Sequence, residues 1–328
     1  MSVRERWSTA VLLVMALASG ASAHAASSAF DIEGHRGARG LAPENTLTAF
    51  RRALDIGVTT IETDVAITRD GVPVISHDPM LNPDLVRDKS GAWITRRDIP
   101  IHSLSLAELR EYDIGRIDPQ TAYAKGLSLQ RPADGERFPT LAQLLELVRA
   151  SGKPVRLNIE TKITPDNAGQ TVDPATFVRL IIDEVQRAGL VDRVIIQSFD
   201  WRSLVESKRI APEVPTSCLS IEASSMNTML ATKDGVSPWH AGLSLAEHGS
   251  VPALVKAAGC AIWSPFYRNV TPALVTQSHA LGLQVIPWTV NDEAEMRRLI
   301  DLGVDGLITD YPDRLHNVAK AKALPLPQ

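Results

Sequence analysis

Cysteine is scarce in this chain: two in 328 residues. That is too few for a disulfide framework, and no Cys/His spacing of a zinc site accompanies them. Long apolar runs are missing too. Ala10–Ala18 (AVLLVMALA) falls well short of the ~20 residues a helical span needs, and no later segment reaches that length. Neither sign of charge dominates: 34 Lys and Arg against 38 Asp and Glu leave a net charge of −4, so nothing draws the surface as a whole to nucleic acid or anionic membrane. The glycine patterns of dinucleotide and P-loop sites are also lacking. What is present is an ordinary globular composition, 44% hydrophobic and 22% charged, which excludes disorder, collagen and coiled coil. The length suits two domains or one large α/β barrel.

Residues 1–25 read as a secretory signal peptide. Arg4 and Arg6 precede the short apolar core, and small residues follow with cleavage patterns at Ala21-Ser22-Ala23 and Ala23-His24-Ala25. The mature protein, residues 26–328, is therefore expected in an oxidising compartment outside the cytoplasm, the periplasm in a Gram-negative source.

From residue 30 short β-branched runs alternate with helical stretches, the pattern of βα units. Eight strands are predicted: Asp31–His35, Thr59–Val65, Val155–Glu160, Val194–Ser198, Pro215–Ser220, Ala261–Pro265, Leu283–Val290 and Gly306–Thr309. Eight is the number a closed (β/α)8 TIM barrel requires, and this is preferred to an open doubly wound sheet. Asn45 is placed to cap a helix over Thr46–Ile56 that Gly57 ends. Pro174–Ala188 precedes Gly189, and Asp292 opens a helix that stops before Gly303.

Two features break the alternation. Val72–Ser76 follows the second strand after only Thr68-Arg69-Asp70-Gly71, too short for a parallel crossover, so the pair must form a hairpin. Residues 79–139 are rich in Pro, Gly and charge and poor in β pattern. They read as a small inserted subdomain over one barrel mouth, continuing into a helix over Thr140–Ala150.

Catalytic groups in such a barrel sit at the C-terminal strand ends. There the sequence places His35-Arg36-Gly37, Glu62 and Asp64, and Glu160 with Lys162. Residues two apart share a strand face, so Glu62 and Asp64 point together, with Glu160 about one strand spacing (~4.8 Å) away. Three carboxylates this close do not all stay ionised unless a cation joins them. The ligands are all oxygens, so Ca2+ or Mg2+ fits better than zinc. A turn near Asp70 sets Asp64 opposite Ser76 and returns His77 to the level of the carboxylates. With His35 it supplies two imidazoles, suited to proton transfer near neutral pH. Arg36 and Lys162 add positive charge, and the assembly suits a phosphodiester whose transition state gains negative charge.

The motifs His35-Arg36-Gly37, Pro43-Glu44-Asn45-Thr46, Glu62-Thr63-Asp64, Asp70-Gly71, His77-Asp78, Glu160-Thr161-Lys162, Gln197-Ser198-Phe199, Trp288-Thr289-Val290-Asn291 and Asp305-Gly306-Leu307-Ile308-Thr309-Asp310-Tyr311-Pro312 together resemble the glycerophosphodiester phosphodiesterases over about residues 31–315. The resemblance implies a TIM barrel with a small insertion after the histidine hairpin. It also implies hydrolysis of deacylated phospholipids, such as glycerophosphocholine and glycerophosphoethanolamine, to glycerol 3-phosphate and an alcohol. On this basis His35 and His77 are the acid–base pair, Glu62, Asp64 and Glu160 the metal ligands, and Arg36 and Lys162 the phosphate contacts. The exported branch of the family implies Ca2+, with Mg2+ as the alternative.

Simpler roles compete at several positions. Arg36 and Lys162 are also placed to be plain ion-pair partners of the carboxylates. Gln197 and Trp288 are predicted at strand ends facing the mouth, as substrate contacts or as core. His240 and His248 read as surface histidines near the mouth, and His102, His279 and His316 receive no role. Cys218 and Cys260 fall on adjacent strands and are expected as buried free thiols. The same site also suits a phospholipase D-like enzyme acting on lysolipid or sphingolipid. A non-catalytic glycerophosphodiester-binding protein is a third reading, disfavoured because both histidines and all three carboxylates are present.

Overall fold

A computed structural model describes residues 29–166 and 169–326; the expected signal peptide lies outside the described residues. The strands are β1 (Asp31–Gly34), β2 (Thr60–Ile67), β3 (Pro73–Ile75), β4 (Arg156–Thr161), β5 (Val194–Ser198), β6 (Thr216–Ser220), β7 (Ile262–Pro265), β8 (Gln284–Val285) and β9 (Gly306–Thr309). All but β3 run parallel, in the order β8-β7-β6-β5-β4-β2-β1-β9, with helices between them. The two end strands meet where the Asp305 and Ile308 N–H groups donate to the carbonyls of Val285 (2.9 Å) and Pro287 (3.0 Å). The barrel is thus nearly closed.

The expected strand Leu283–Val290 is the main shortfall, because only Gln284–Val285 is regular strand. Pro287 has no N–H to give to the ladder. The backbone nevertheless stays against β7, with Ile286 and Trp288 donating to the Trp263 (3.0 Å) and Pro265 (3.1 Å) carbonyls. The hairpin has the expected register. Strand β3 pairs antiparallel with β2, Val65 opposite Ile75 and Ile67 opposite Pro73, and Ser76 N–H donates to the Asp64 carbonyl at 3.0 Å.

Buried on both faces, the parallel strands carry two sets of side chains. One set packs outward beneath helices such as Leu47–Ile56 and Pro174–Ala188, forming the main apolar core. The set inside the barrel is divided. Ile195, Ile262, Ile286 and Ile308 cluster on one side, whereas Glu33, Glu62, Asn158 and Gln197 are buried polar residues on β1, β2, β4 and β5. That polar half leads up to the site.

Local capping explains several boundaries. Asp173 accepts from Thr176 N–H at the start of Pro174–Ala188, and Gly189 ends the helix in the left-handed conformation, φ 67°. Thr46, rather than Asn45, caps Leu47–Ile56 by accepting from Ala49 N–H. Asn45 instead sits at φ 56°, a conformation asparagine tolerates better than most residues. Residues 79–139 contain only short helical turns, Ile101–Ser103, Leu106–Leu109 and Ala122–Gly126. Leu81, Val86, Ile101, Leu109, Ile114 and Phe138 form a separate apolar cluster there with Ala66 and Val74 of the hairpin.

Two expectations are corrected. Cys218 and Cys260 are disulfide-bonded rather than free, with Cα atoms 6.0 Å apart. Cys218 lies on β6 and Cys260 just ahead of β7, which puts their Cα atoms at the usual bridging separation. His240 is not a surface histidine. It is fully buried and stacks on Trp201 with ring centroids 4.5 Å apart, because the long segment after β6 folds back over the helix Trp201–Ile210. Burial holds its pKa down at about 4.

Candidate active site

The C-terminal ends of β1, β2 and β4 converge on one cavity of about 200 Å3, lined in part by His35, Arg36, Glu62, His77, Glu160, Gln197 and Trp288. Strand register creates the acidic centre. Glu62 and Asp64 lie two apart on β2, and Asp64 pairs with Glu160 on β4. One oxygen from each of Glu62, Asp64 and Glu160 lies within 4.8 Å of the others.

Each carboxylate is held. Glu62 accepts from the Gln197 amide (2.8 Å) at Oε1 and from the Arg36 backbone N–H (2.8 Å) at Oε2. Asp64 Oδ2 accepts from Asn45 Nδ2 at 2.9 Å and lies 3.4 Å from Arg36 Nε. Glu160 accepts from Lys162 Nζ at 2.7 Å. Burial and the charges of Asp64 and Glu160 push the Glu62 pKa well up. Glu160 is also raised, chiefly by burial, despite Lys162. Asp64 moves the other way: burial opposes its charge, but His77, Lys162 and Arg36 outweigh it.

The cluster fits a cation. Asp64 Oδ1 is buried without a hydrogen-bond partner and the donor set is entirely oxygen, the chemistry of a hard divalent ion. Buried polar atoms are ordinarily satisfied, and this oxygen, with no hydrogen bond and Lys162 Nζ 3.6 Å away, is suited to a cation beside two further carboxylates.

Each histidine is backed by a carboxylate. His35 Nδ1 lies 2.6 Å from Asp310 Oδ1, while its Nε2 is 3.9 Å from Glu62 Oε2. Asp310 is itself fixed by Arg39 Nε (2.7 Å) and by Asn291 Nδ2 (2.7 Å). Burial resists the charge on Asp310, but His35 and Arg39 keep its pKa below the usual carboxylate range. Burial, with Arg39 adding to it against the pull of Asp310, lowers His35 to about 4, so its imidazole is neutral at physiological pH. His77 Nδ1 lies 2.8 Å from Asp78 Oδ1, and Asn82 donates to the other Asp78 oxygen at 2.7 Å.

The cationic candidates are ion-paired in this structure. Arg36 donates to Glu44 at 2.6 Å, and Lys162 sits 2.7 Å from Glu160 and 3.6 Å from Asp64. Arg36 lines the cavity, whereas Asp64 and Lys162 are not among its lining residues. Trp288 forms an aromatic wall with Phe199, centroids 5.3 Å apart. Neither His240 nor His248 joins the cavity lining.

Sequence reasoning gave no role to Arg39, Glu44, Asp310, Asn291 or Tyr123. Glu44, Asn291 and Asp310 lie inside the motifs that carry the family resemblance, so position near the site was legible although partners were not. Tyr123 carries no local signal: its hydroxyl reaches Glu44 from residues 79–139 and lies 3.1 Å from Arg39 Nη1.

Paired imidazoles beside an acidic cation site, at the mouth of a parallel barrel, define a TIM-barrel phosphoester hydrolase. The sequence profile of the glycerophosphoryl diester phosphodiesterase family matches residues 35–314, and the chain belongs to that family. It is 30% identical over 286 residues to the glycerophosphodiester phosphodiesterase of Caldanaerobacter subterraneus subsp. tengcongensis, covering 87% of this chain and 96% of that one. A Bacillus subtilis glycerophosphodiester phosphodiesterase is 31% identical, with 87% and 85% covered. The fold is similar to the crystal structure of a candidate glycerophosphoryl diester phosphodiesterase from Silicibacter pomeroyi (TM-score 0.81, 35% identity, 90% and 95% covered). An Oleispira antarctica phosphodiesterase solved with the product sn-glycerol-3-phosphate is also similar (TM-score 0.64, 25% identity, 88% and 96% covered).

Proposed function

We propose that this protein is an exported, metal-dependent phosphodiesterase that hydrolyses glycerophosphodiesters to glycerol 3-phosphate and an alcohol. The observation that carries this reading is the pair of carboxylate-backed imidazoles sharing one small cavity with Glu62 and Glu160, whose carboxylates cluster with that of Asp64. The relatives' names and the glycerol phosphate bound in the Oleispira structure support the substrate class.

Glu62, Asp64 and Glu160 would hold the divalent cation, Ca2+ by preference and Mg2+ as the alternative. A bound cation supplies Lewis-acid charge that stabilises the phosphoryl transition state. The chain's own residues do the rest. Neutral His35, its Nδ1 engaged by Asp310, keeps Nε2 as the acceptor for a proton of the attacking water, whose oxygen bonds to phosphorus as the bond to the alcohol oxygen breaks. His77, paired with Asp78, gives a proton to the departing alkoxide. Arg36 contributes positive charge at the wall and Lys162 beside Glu160, while Trp288 and Phe199 offer an apolar face to the substrate's carbon skeleton.

Export is supported by the leader-like residues 1–25 and by the buried Cys218–Cys260 disulfide, a bond suited to an oxidising compartment. Among the described residues no helix is long and apolar enough to cross a membrane. The expected partner is a small diester, in line with the glycerol phosphate in the Oleispira structure.

Substrate class is tested by comparing turnover of water-soluble glycerophosphocholine with release of choline from micellar lysophosphatidylcholine. The expected result is a kcat/KM for the soluble diester higher by about tenfold or more. A preference for the lysolipid would replace this reading with the phospholipase D-like one, and binding without turnover of either would revive the binding-protein reading.

A further inference from the structure

We propose that Glu33, inside the barrel below the site, is a positioning residue for the metal ligand Glu62 and acts through Asn158 and Gln197. The inference rests on the reading of Glu62 as a metal ligand. Glu33, Asn158, Gln197 and Glu62 are each no more than 1% exposed and form one continuous hydrogen-bonded line. Asn158 Nδ2 donates to Glu33 Oε2 at 2.9 Å and to Gln197 Oε1 at 3.0 Å, and Gln197 Nε2 donates to Glu62 Oε1 at 2.8 Å.

The polarity of this line follows from donor and acceptor chemistry. As a carboxylate bound to the cation, Glu62 only accepts, so Gln197 must turn its NH2 end toward it. The Gln197 carbonyl then points back and needs a donor, which Asn158 supplies with its NH2. The second hydrogen of that same NH2 needs an acceptor, and Glu33 is it. Were Glu33 not there, Asn158 would lose one of the two acceptors that fix its amide. A flipped Asn158 would present a carbonyl to Gln197, favouring a flipped Gln197 that presents its own carbonyl to Glu62. Glu62 would lose a donor and gain a repulsive neighbour. Groups that orient a ligand in this way commonly account for 10–100-fold of metal affinity.

A purely structural role explains Glu33 poorly. Its Oε1 is buried without a partner, as is Asn158 Oδ1. Burial and the nearby Asp31 disfavour its charge, and the Asn158 hydrogen bond and the charge of Arg156 offset them only in part. A buried group with an unmet hydrogen bond costs stability, and the opposite half of the same interior is filled by isoleucines. An apolar side chain of similar length is therefore compatible with this barrel, whereas Glu33 is suited to directing Asn158.

The test is calorimetric titration of EDTA-stripped protein with Ca2+, with the apo melting temperature measured alongside. Glu33→Met should bind Ca2+ about tenfold more weakly than wild type while melting at the same temperature or higher. Glu33→Gln keeps an acceptor toward Asn158 and should rescue affinity to within about twofold of wild type. Asn158→Leu should weaken binding at least as much as Glu33→Met, and the double variant Glu33→Met/Asn158→Leu should be no weaker than Asn158→Leu alone, because Glu33 acts only through Asn158. Additive losses, or wild-type affinity in Glu33→Met, would overturn the relay while leaving the metal reading intact. If Glu33→Met does not fold, wild-type affinity in Asn158→Leu overturns it equally. A wild-type protein that takes up neither Ca2+ nor Mg2+ overturns the metal reading and the relay together; if it takes up only Mg2+, the same comparisons are made with Mg2+.

Discussion

His77→Ala should lower kcat on glycerophosphocholine by about 10²–10⁴-fold, the usual worth of a positioned acid or base, with little change in melting temperature or Ca2+ binding. The side chain is partly exposed beside the hairpin and is hydrogen-bonded to the adjacent Asp78, so its removal opens no core cavity. The assigned role can be separated from mere damage to the site. Choline is a poor leaving group that needs a proton, whereas p-nitrophenolate does not. On the p-nitrophenyl ester of glycerol 3-phosphate the deficit of His77→Ala should therefore shrink to about tenfold or less, while His35→Ala stays impaired on both substrates. Equal losses on the two esters would remove the proton-donor role from His77, and wild-type rates would remove it from the mechanism.

A second large effect is expected at the acidic cluster. Glu62→Gln should raise the Ca2+ concentration needed for half-maximal activity by about 100-fold or more, since deleting a ligand costs at least as much as disturbing one that orients it. Excess Ca2+ should partly restore turnover. The stability of the metal-free protein should move the opposite way. Without a cation, Glu62 sits against Asp64 and Glu160 with its pKa pushed well up by burial and by those two charges. Replacing one of three mutually repelling groups with a neutral amide of the same shape should then raise the apo melting temperature. The stabilisation gained on adding Ca2+ should be smaller than in wild type. A metal titration identical to wild type would take Glu62 out of the ligand set.

Much of this site was readable because its geometry is local. The period-2 alternation of β2 fixes Glu62 and Asp64 on one face. The short Asp70-Gly71 turn sets the register that pairs Val65 with Ile75, and so carries His77 back toward the carboxylates. Helix ends at Gly57, Gly189 and Gly303 follow from backbone chemistry within a few residues.

What was missed depends on distance along the chain or on competition between neighbours. Asn45 and Thr46 are both good capping residues, and only the reach of Asn45 to Asp64, 19 positions away, decides that Thr46 caps. The Asp310–His35 pairing spans 275 positions, and the approach of Tyr123 to Glu44 crosses from residues 79–139 to the barrel. Bonding of Cys218 to Cys260 depends on how the residue just ahead of β7 lies against β6, which alternation alone does not specify. His240 looked exposed because the segment around it lacks periodicity. Its burial comes from that segment folding over Trp201.

The most direct test of the central claim is release of glycerol 3-phosphate from glycerophosphocholine by the mature protein, followed with a coupled dehydrogenase. Protein stripped with EDTA should be inactive, and one added divalent cation, Ca2+ before Mg2+, should restore turnover. Full turnover in EDTA, or none from folded protein supplied with either cation, would contradict the account.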